Sequence, residues 1–284
     1  MAETLILLLA EGVPLYAEGV APGVSASYPA YGAAPAPSYD PAALAFINAA
    51  GLTADTHKDA VNRLVLDLKA ASLFTPTKIQ ALWPLLGGTA DAHRYNLLDP
   101  ATFPLTYGPG MQHSALGLAG GGSLALTGYV ASRDMVDDTL HLAVYVRALT
   151  DDPWDMGSVE TQTQVQGLLV KRAAIAGSDI GDDGSFTNVP VPTAPGFFIG
   201  SRTSRTSHVS YQNGAAVGSN SSPTPAPMNR CTAPMALCGA SGTNGGASAK
   251  PIALASIGPG LSASEVAAYA TAVQRYQTAL GRQV

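Results

Sequence analysis

Charge is what this chain has least of. Asp, Glu, Lys and Arg make up 12% of its 284 residues, about half the share usual in soluble proteins. The 15 basic residues are scattered and the net charge is −5, so no cationic face is present. Displacing counterions from phosphates needs clustered Lys and Arg, which excludes a nucleic-acid partner. Cysteine is nearly missing too. Cys231 and Cys238 are too few for a disulfide scaffold and do not form a zinc pattern. The intervening residues, Pro234 among them, permit a local bridge or two free thiols, the latter suiting synthesis in the cytosol. Long apolar runs are also lacking. Leu5-Ile6-Leu7-Leu8-Leu9 is too short to span a bilayer, and the first Lys or Arg is Lys58. Neither membrane insertion nor a signal peptide is expected.

Glutamate is scarce in a way that bears on catalysis. The chain has five: Glu3, Glu11, Glu18, Glu160 and Glu265. Glycoside hydrolysis generally needs one carboxyl group as acid and a second as base or nucleophile. Three of the five fall in the first 40 residues and Glu265 sits at a helix start, leaving Glu160 alone among expected strands. No GxSxG, HExxH or GxxxxGK[ST] occurs. His57, His93, His113, His141 and His208 are dispersed without metal-ligand spacing. The reading is of a chain that is not an enzyme and carries no metal or other cofactor.

What is present is turn-forming and small. Gly 30 and Pro 21 punctuate a chain whose 46% hydrophobic share is inflated by alanine. A weakly charged surface rich in Ser, Thr, Ala and Gly risks association and suits a subunit covered by neighbours.

Residues 1–40 read as an extended docking arm. They hold no Lys or Arg, repeat Ala10-Glu11-Gly12-Val13 as Ala17-Glu18-Gly19-Val20, and then interleave Pro22, Pro29, Pro35 and Pro37 with Tyr28, Tyr31 and Tyr39. Proline removes donors and keeps the chain extended. Leu5, Leu7, Leu9, Val13, Tyr16 and Val20 are its candidate assembly contacts, with other polypeptides expected to order it. The alternative is that it lies along its own domain.

Residues 41–88 read as a helical collar. Asp40-Pro41 is an N-cap followed by proline at the first helical position, and Gly51 stops that helix. A second helix after Thr53 places Val61, Leu64, Val65 and Leu68 on one face. Thr75-Pro76 predicts a third, short one through Leu82. Beyond residue 87 the period becomes two. In 140–147 the aliphatic residues take one face and His141, Tyr145 and Arg147 the other, as in a half-buried antiparallel strand. Further strands are expected near 159–165, 167–175, 196–201, 207–212, 215–219, 233–239 and 251–257. Asn213-Gly214 is a strong hairpin signal and Asp183-Gly184 a weaker one. Such a series of short strands predicts an all-β sandwich or barrel over 89–284. Helix 261–281 closes it, with a capping box at Ser262-Ala263-Ser264-Glu265, a stripe of Val266, Tyr269, Ala270, Val273, Tyr276 and Leu280, and Gly281 as its stop.

Three stretches carry a family likeness. They are 45–51 with the helix after it through Leu86-Gly87-Gly88; Gly196-Phe197-Phe198-Ile199-Gly200-Ser201-Arg202 leading to Tyr211-Gln212-Asn213-Gly214; and Ala267-Ala268-Tyr269 through Gln277-Thr278-Ala279-Leu280-Gly281-Arg282. Together they frame residues 42–284, which resemble bacteriophage virion proteins carrying a concanavalin A-like, laminin-G-like jelly-roll module. The resemblance implies a virion location, a homotrimer on a fibre, spike or tail tip, other virion proteins as partners through the arm, and adhesion to host-surface glycans. The alternatives it leaves are a purely architectural head fibre or capsid decoration subunit, and a polysaccharide-degrading spike.

Two acidic stretches remain. Ser178-Asp179-Ile180-Gly181-Asp182-Asp183-Gly184 faintly resembles a calcium loop but lacks an acid at 181 and the closing Glu, so a plain turn is expected. In Thr150-Asp151-Asp152-Pro153-Trp154-Asp155 the commoner use of the indole is to plug a sandwich end or a subunit interface. Its alternative is to stack on a sugar ring while the acids accept hydroxyl hydrogen bonds, which makes Asp152, Trp154 and Asp155 the candidate ligand-binding residues.

Overall fold

In the computed structural model, the described residues are 9–10, 13–14, 38–181, 186–222 and 227–284. The chain divides into two compact units, Met1–Ser38 and Tyr39–Val284. In the first, β1 (Leu9–Ala10) pairs antiparallel with β2 (Val13–Pro14). Leu9 and Val13 lie on this strand pair, whereas Leu5, Leu7, Tyr16 and Val20 lie outside the described residues.

The second unit opens with α1 (Pro41–Ala49) and α2 (Asp55–Ala70). Asp40 caps α1 by accepting the Ala42 N–H at 3.0 Å, and its carboxylate also meets Lys69 Nζ at 2.7 Å. Gly51 follows in the left-handed region, φ 61°, as expected of a helix stop. The predicted third helix is absent. Residues 75–79 make a single turn, and the chain then runs as strand β3 (Ala81–Trp83) along β18 (Ile252–Gly258), with Trp83 opposite Ala255. Pairing wins because β18 offers an open edge there, and all three side chains of β3 are fully buried beside it.

The remaining elements are α3 (Ala90–His93), β4 (Thr106–Tyr107), β5 (Gln112–Ser114), β6 (Gly117–Ala119), β7 (Ala125–Val130), α4 (Ala131–Asp134), β8 (Leu140–Val146), β9 (Met156–Thr161), β10 (Gln164–Arg172), β11 (Ile175–Gly181), β12 (Gly196–Ser204), β13 (Ser207–Gln212), β14 (Ala215–Asn220), β15 (Pro234–Leu237), β16 (Gly239–Ala240), β17 (Gly246–Ala247) and α5 (Ala263–Ala279). They form a six-stranded sheet, β11-β10-β9-β15-β7-β4, and an eight-stranded sheet, β14-β13-β12-β8-β18-β6-β5 with β3 added on β18. All ladders in both are antiparallel. From β7 onward the chain crosses between sheets at β8, β9, β12, β15 and β18, the connectivity of a jelly-roll β-sandwich.

Two cores result. Between the sheets lie Leu142, Val144, Met156, Leu168, Val170, Ile180, Met235, Leu237 and Ile257. On the other side of the eight-stranded sheet, Tyr145, Phe197, Ile199 and Leu254 pack with Phe46, Leu64, Leu68, Tyr269 and Tyr276 of the helices. The unit therefore has three layers. This corrects the half-buried reading of β8: its alternation is as expected, but His141 and Tyr145 are fully buried, since the second face lies under helices rather than water.

The closing helix follows its sequence signals. Ser262 Oγ accepts the Glu265 N–H, Glu265 Oε2 accepts the Ser262 N–H, and Gly281 has φ 62°. The Asn213-Gly214 turn joins β13 to β14 with φ 49° and 87°, the doubly positive pair that a type I′ hairpin requires. Residues 178–181 are neither a calcium loop nor a turn. They belong to β11, with Ser178 and Ile180 fully buried, while 182–185, and Asp183-Gly184 with them, lie outside the described residues. Among the described residues, no helix is long and apolar enough to cross a membrane.

Candidate ligand-binding face

The segment between β8 and β9 leaves the eight-stranded sheet and enters the six-stranded one. It places Trp154 half-buried against Val159, Val165 and Ala240. The indole lies over Gly167 of β10. A β-carbon there would stand 2.6 Å from Cε3, 2.7 Å from Cζ3 and 3.2 Å from Cδ2 of the ring. Three ring atoms at such range put the glycine beneath the face of the six-membered ring. Gly167 pairs across the sheet with Gly157 of β9, so the floor directly beneath the ring carries no side chain, with Val159, Val165 and Ala240 packed against the indole. A glycine inside a strand marks such close approach. One ring face is thus committed to the sheet, and a ligand could meet only the other face or the edges.

The acids beside Trp154 divide sharply. Asp151 is 61% exposed by side chain and sits 3.4 Å from Lys171 Nζ. Asp152 is half-buried and accepts the Thr150 hydroxyl. Asp155 is fully buried. Its Oδ2 accepts the Val170 N–H at 2.7 Å, and Lys250 Nζ lies 3.1 Å from Oδ1. Burial pushes its pKa up to about 6, against the pull of Lys250. Asp155 is therefore withdrawn from the candidate set: with both oxygens inside, it cannot accept a hydroxyl from outside. Trp154 and Asp152 stay at the surface.

Glu160, at the far end of β9, is occupied by the chain itself. Its Oε1 accepts the N–H groups of Thr232 and Ala233 and the Thr232 hydroxyl at 2.6–2.9 Å. Burial would raise its pKa, but these hydrogen bonds outweigh it and hold the carboxyl below its usual range. The histidines are spread out in part. His141 lies under α5, its Nδ1 2.7 Å from the Pro259 carbonyl, and His208 meets Ser178 Oγ at 2.8 Å inside the sandwich. His93 and His113 do come together, Nδ1 to Nδ1 at 3.1 Å, a pairing twenty residues apart that spacing does not reveal. Among the described residues, no group of three or more His, Cys, Asp or Glu could hold a metal ion. An open depression of about 540 Å³ runs beside α5 and the β13–β14 turn, lined by Asn213, Thr271, Gln274, Arg275 and Thr278. It is shallow and brings no aromatic ring to bear.

No protein-family model and no curated protein matches the chain. Among solved structures, domain 4 of AbnA, a GH43 extracellular arabinanase from Geobacillus stearothermophilus in complex with arabinotriose, is similar at 14% identity and TM-score 0.41, covering 69% of this chain and 100% of that one. Trypanosoma rangeli sialidase with the inhibitor DANA is similar at 13% identity and TM-score 0.45, covering 74% of this chain and 37% of the sialidase. The same sialidase with 2,3-difluoro-KDN gives 10% identity and TM-score 0.44, covering 74% and 38%. The chain thus spans well under half the length of the sialidases. Likeness at this level transfers no activity.

Proposed function

We propose that this chain is a structural, non-enzymatic component of a bacteriophage particle whose sandwich adheres to host-surface glycans. In this reading it is carried as a homotrimer, docked on other virion proteins through residues 1–40. The observation that carries the adhesion reading is Trp154 lying on the Gly167 floor. An indole backed by a glycine floor is suited to stacking on the apolar face of a sugar ring, with Asp151 and Asp152 of the same segment as the acceptors for its hydroxyls. The likeness to phage proteins rests on residues that fold together: Phe46, Phe197 and Tyr269 share the core between helices and sheet. That likeness speaks for the module, and Trp154 for its ligand. Commitment of Asp155 to Lys250 and of Glu160 to the 232–233 backbone supports binding over hydrolysis.

The test is adsorption of labelled full-length protein to host cells and to a glycan array. Saturable binding, weakened about tenfold or more in Trp154→Ala, corresponding to roughly 1.4 kcal/mol, is the expected result. Absence of binding by the intact oligomer overturns adhesion and leaves an architectural head fibre or decoration subunit. Release of reducing ends from host capsule overturns the non-enzymatic reading.

A further inference from the structure

Asp155 and Lys250 are both fully buried, 95 residues apart in the chain, and in contact. Asp155 stands just before β9 of one sheet, and Lys250 just before β18 of the other. Lys250 Nζ is 3.1 Å from Oδ1 and 3.2 Å from Oδ2. A nitrogen so nearly equidistant from the two oxygens is also at van der Waals range of the carbon joining them. Both partners are held in place. The Val170 N–H donates to Oδ2 at 2.7 Å, and Lys250 Nζ donates to the Lys171 carbonyl at 2.9 Å. Oδ1 has no hydrogen-bond partner and faces the lysine nitrogen.

Two charges held out of water recover little from their attraction. Moving one proton from ammonium to carboxylate converts the pair into a neutral amine and a neutral carboxylic acid. Burial penalises the separated charges and holds the Asp155 carboxyl above its ordinary pKa. The neutral amine and acid are the two reactants of an amide condensation, fixed at contact distance, where proximity replaces a bimolecular encounter. We propose that Lys250 and Asp155 condense into an intramolecular isopeptide bond. The amine lone pair attacks Cγ of Asp155, the new C–N bond forms, and the C–OH bond breaks. The acid's OH leaves with one amine hydrogen as a single water, so no oxidant, reductant or cofactor is consumed. Full burial then denies water access for the reverse reaction. The product ties the two sheets together across the sandwich, a covalent staple suited to a surface-exposed module whatever it binds.

The experiment is intact-mass spectrometry of the full-length chain, folded, incubated and then denatured. The expected mass is one water below that of the sequence. Proteolysis should release a branched peptide whose fragments join the Lys250 side chain to Asp155. Asp155→Ala should restore the full mass, and Asp155→Asn should lose ammonia in place of water. Because the decisive measurement is on the unaltered chain, misfolding of a variant does not cloud it. A full-length mass with Lys250 and Asp155 in separate linear peptides overturns the proposal, as does water loss mapping to another pair.

Discussion

Trp154 and Gly167 are in face-to-floor contact, with no room between them for a methyl group: a β-carbon on Gly167 would stand 2.6 Å from the indole. Gly167→Ala must therefore lift or tilt the ring. Overpacking of this kind costs about 1–3 kcal/mol. The expected result is a lower denaturation midpoint with a shifted Trp154 emission, read against Trp83, which is fully buried and donates to the Phe103 carbonyl. If glycan binding occurs on this ring, the same variant loses affinity. Unchanged emission and stability would remove the contact from the argument.

Arg282 is a second relationship that can be broken. Its guanidinium is 2% exposed and donates to the carbonyls of Leu85, Pro84 and Ala253 and to Gln277 Oε1 at 2.9–3.3 Å. It therefore ties the end of α5 to the strand beneath and to the 84–85 loop. Arg282→Ala removes this donor from the Leu85 and Ala253 carbonyls and Gln277 Oε1, while the Pro84 carbonyl keeps the Tyr276 hydroxyl, and a loss of about 3 kcal/mol is expected in denaturant unfolding. Arg282→Lys keeps charge but not the planar fork, and should recover only part of it.

Two buried histidines set an acid limit. Burial lowers His141 to about 4 and His93 to about 3, the latter helped by the neighbouring charges of His113 and Arg282. The carbonyl of Pro259 can only accept, so His141 carries a hydrogen on Nδ1, and burial keeps the ring neutral in the fold. Below the unfolded value near 6.5, the unfolded chain takes up protons that the folded one refuses. This contribution is whole above about pH 6.5 and is lost as pH falls toward 4, by about 1.4 kcal/mol per pH unit for each histidine. Asp155, pushed up to about 6, opposes this slope between about pH 4 and 6, so the check is a comparison of the unaltered chain with His141→Gln: between pH 6.5 and 4 the variant should lose about 1.4 kcal/mol less stability per pH unit. An unchanged pH dependence in His141→Gln would contradict the buried, neutral state of that ring.

Legibility followed how local each determinant is. The cap of α5 and the Asn213-Gly214 turn could be read because their chemistry lies within four residues: Ser262 reaches Glu265, and both turn positions require positive φ. The strand at 140–146 showed its alternation but not its covering layer, since Tyr145 fits water or a helix equally well until Phe46 and Tyr269 arrive from distant segments. Ala81 and Leu82 read as the end of a helix in the sequence, because the pairing edge that makes them strand belongs to residues 255–257. At the site, Trp154 was legible as an unusual ring among acids. Asp152 and Asp155 look alike in the sequence, yet only Asp155 turns inward, because Lys250 waits there from 95 residues away. The floor beneath the ring had one signal, the glycine in Gln166-Gly167-Leu168, which marks close approach within a strand.

The cysteines complete the set of tests. Both are free and buried. Cys231 Sγ lies 3.1 Å from the Gln164 carbonyl and 3.3 Å from that of Ser158, while Cys238 is 0% exposed. Burial raises both thiols above their ordinary pKa, and the thiolate is the reactive form. A thiol-exchange reagent at neutral pH should therefore find almost nothing in the native protein and two thiols after unfolding. Absence of thiols in the unfolded chain would mean a Cys231–Cys238 bridge. That would require the 232–237 segment, whose residues 234–237 form β15 between β7 and β9, to give up its place in the sheet or bend sharply out of it.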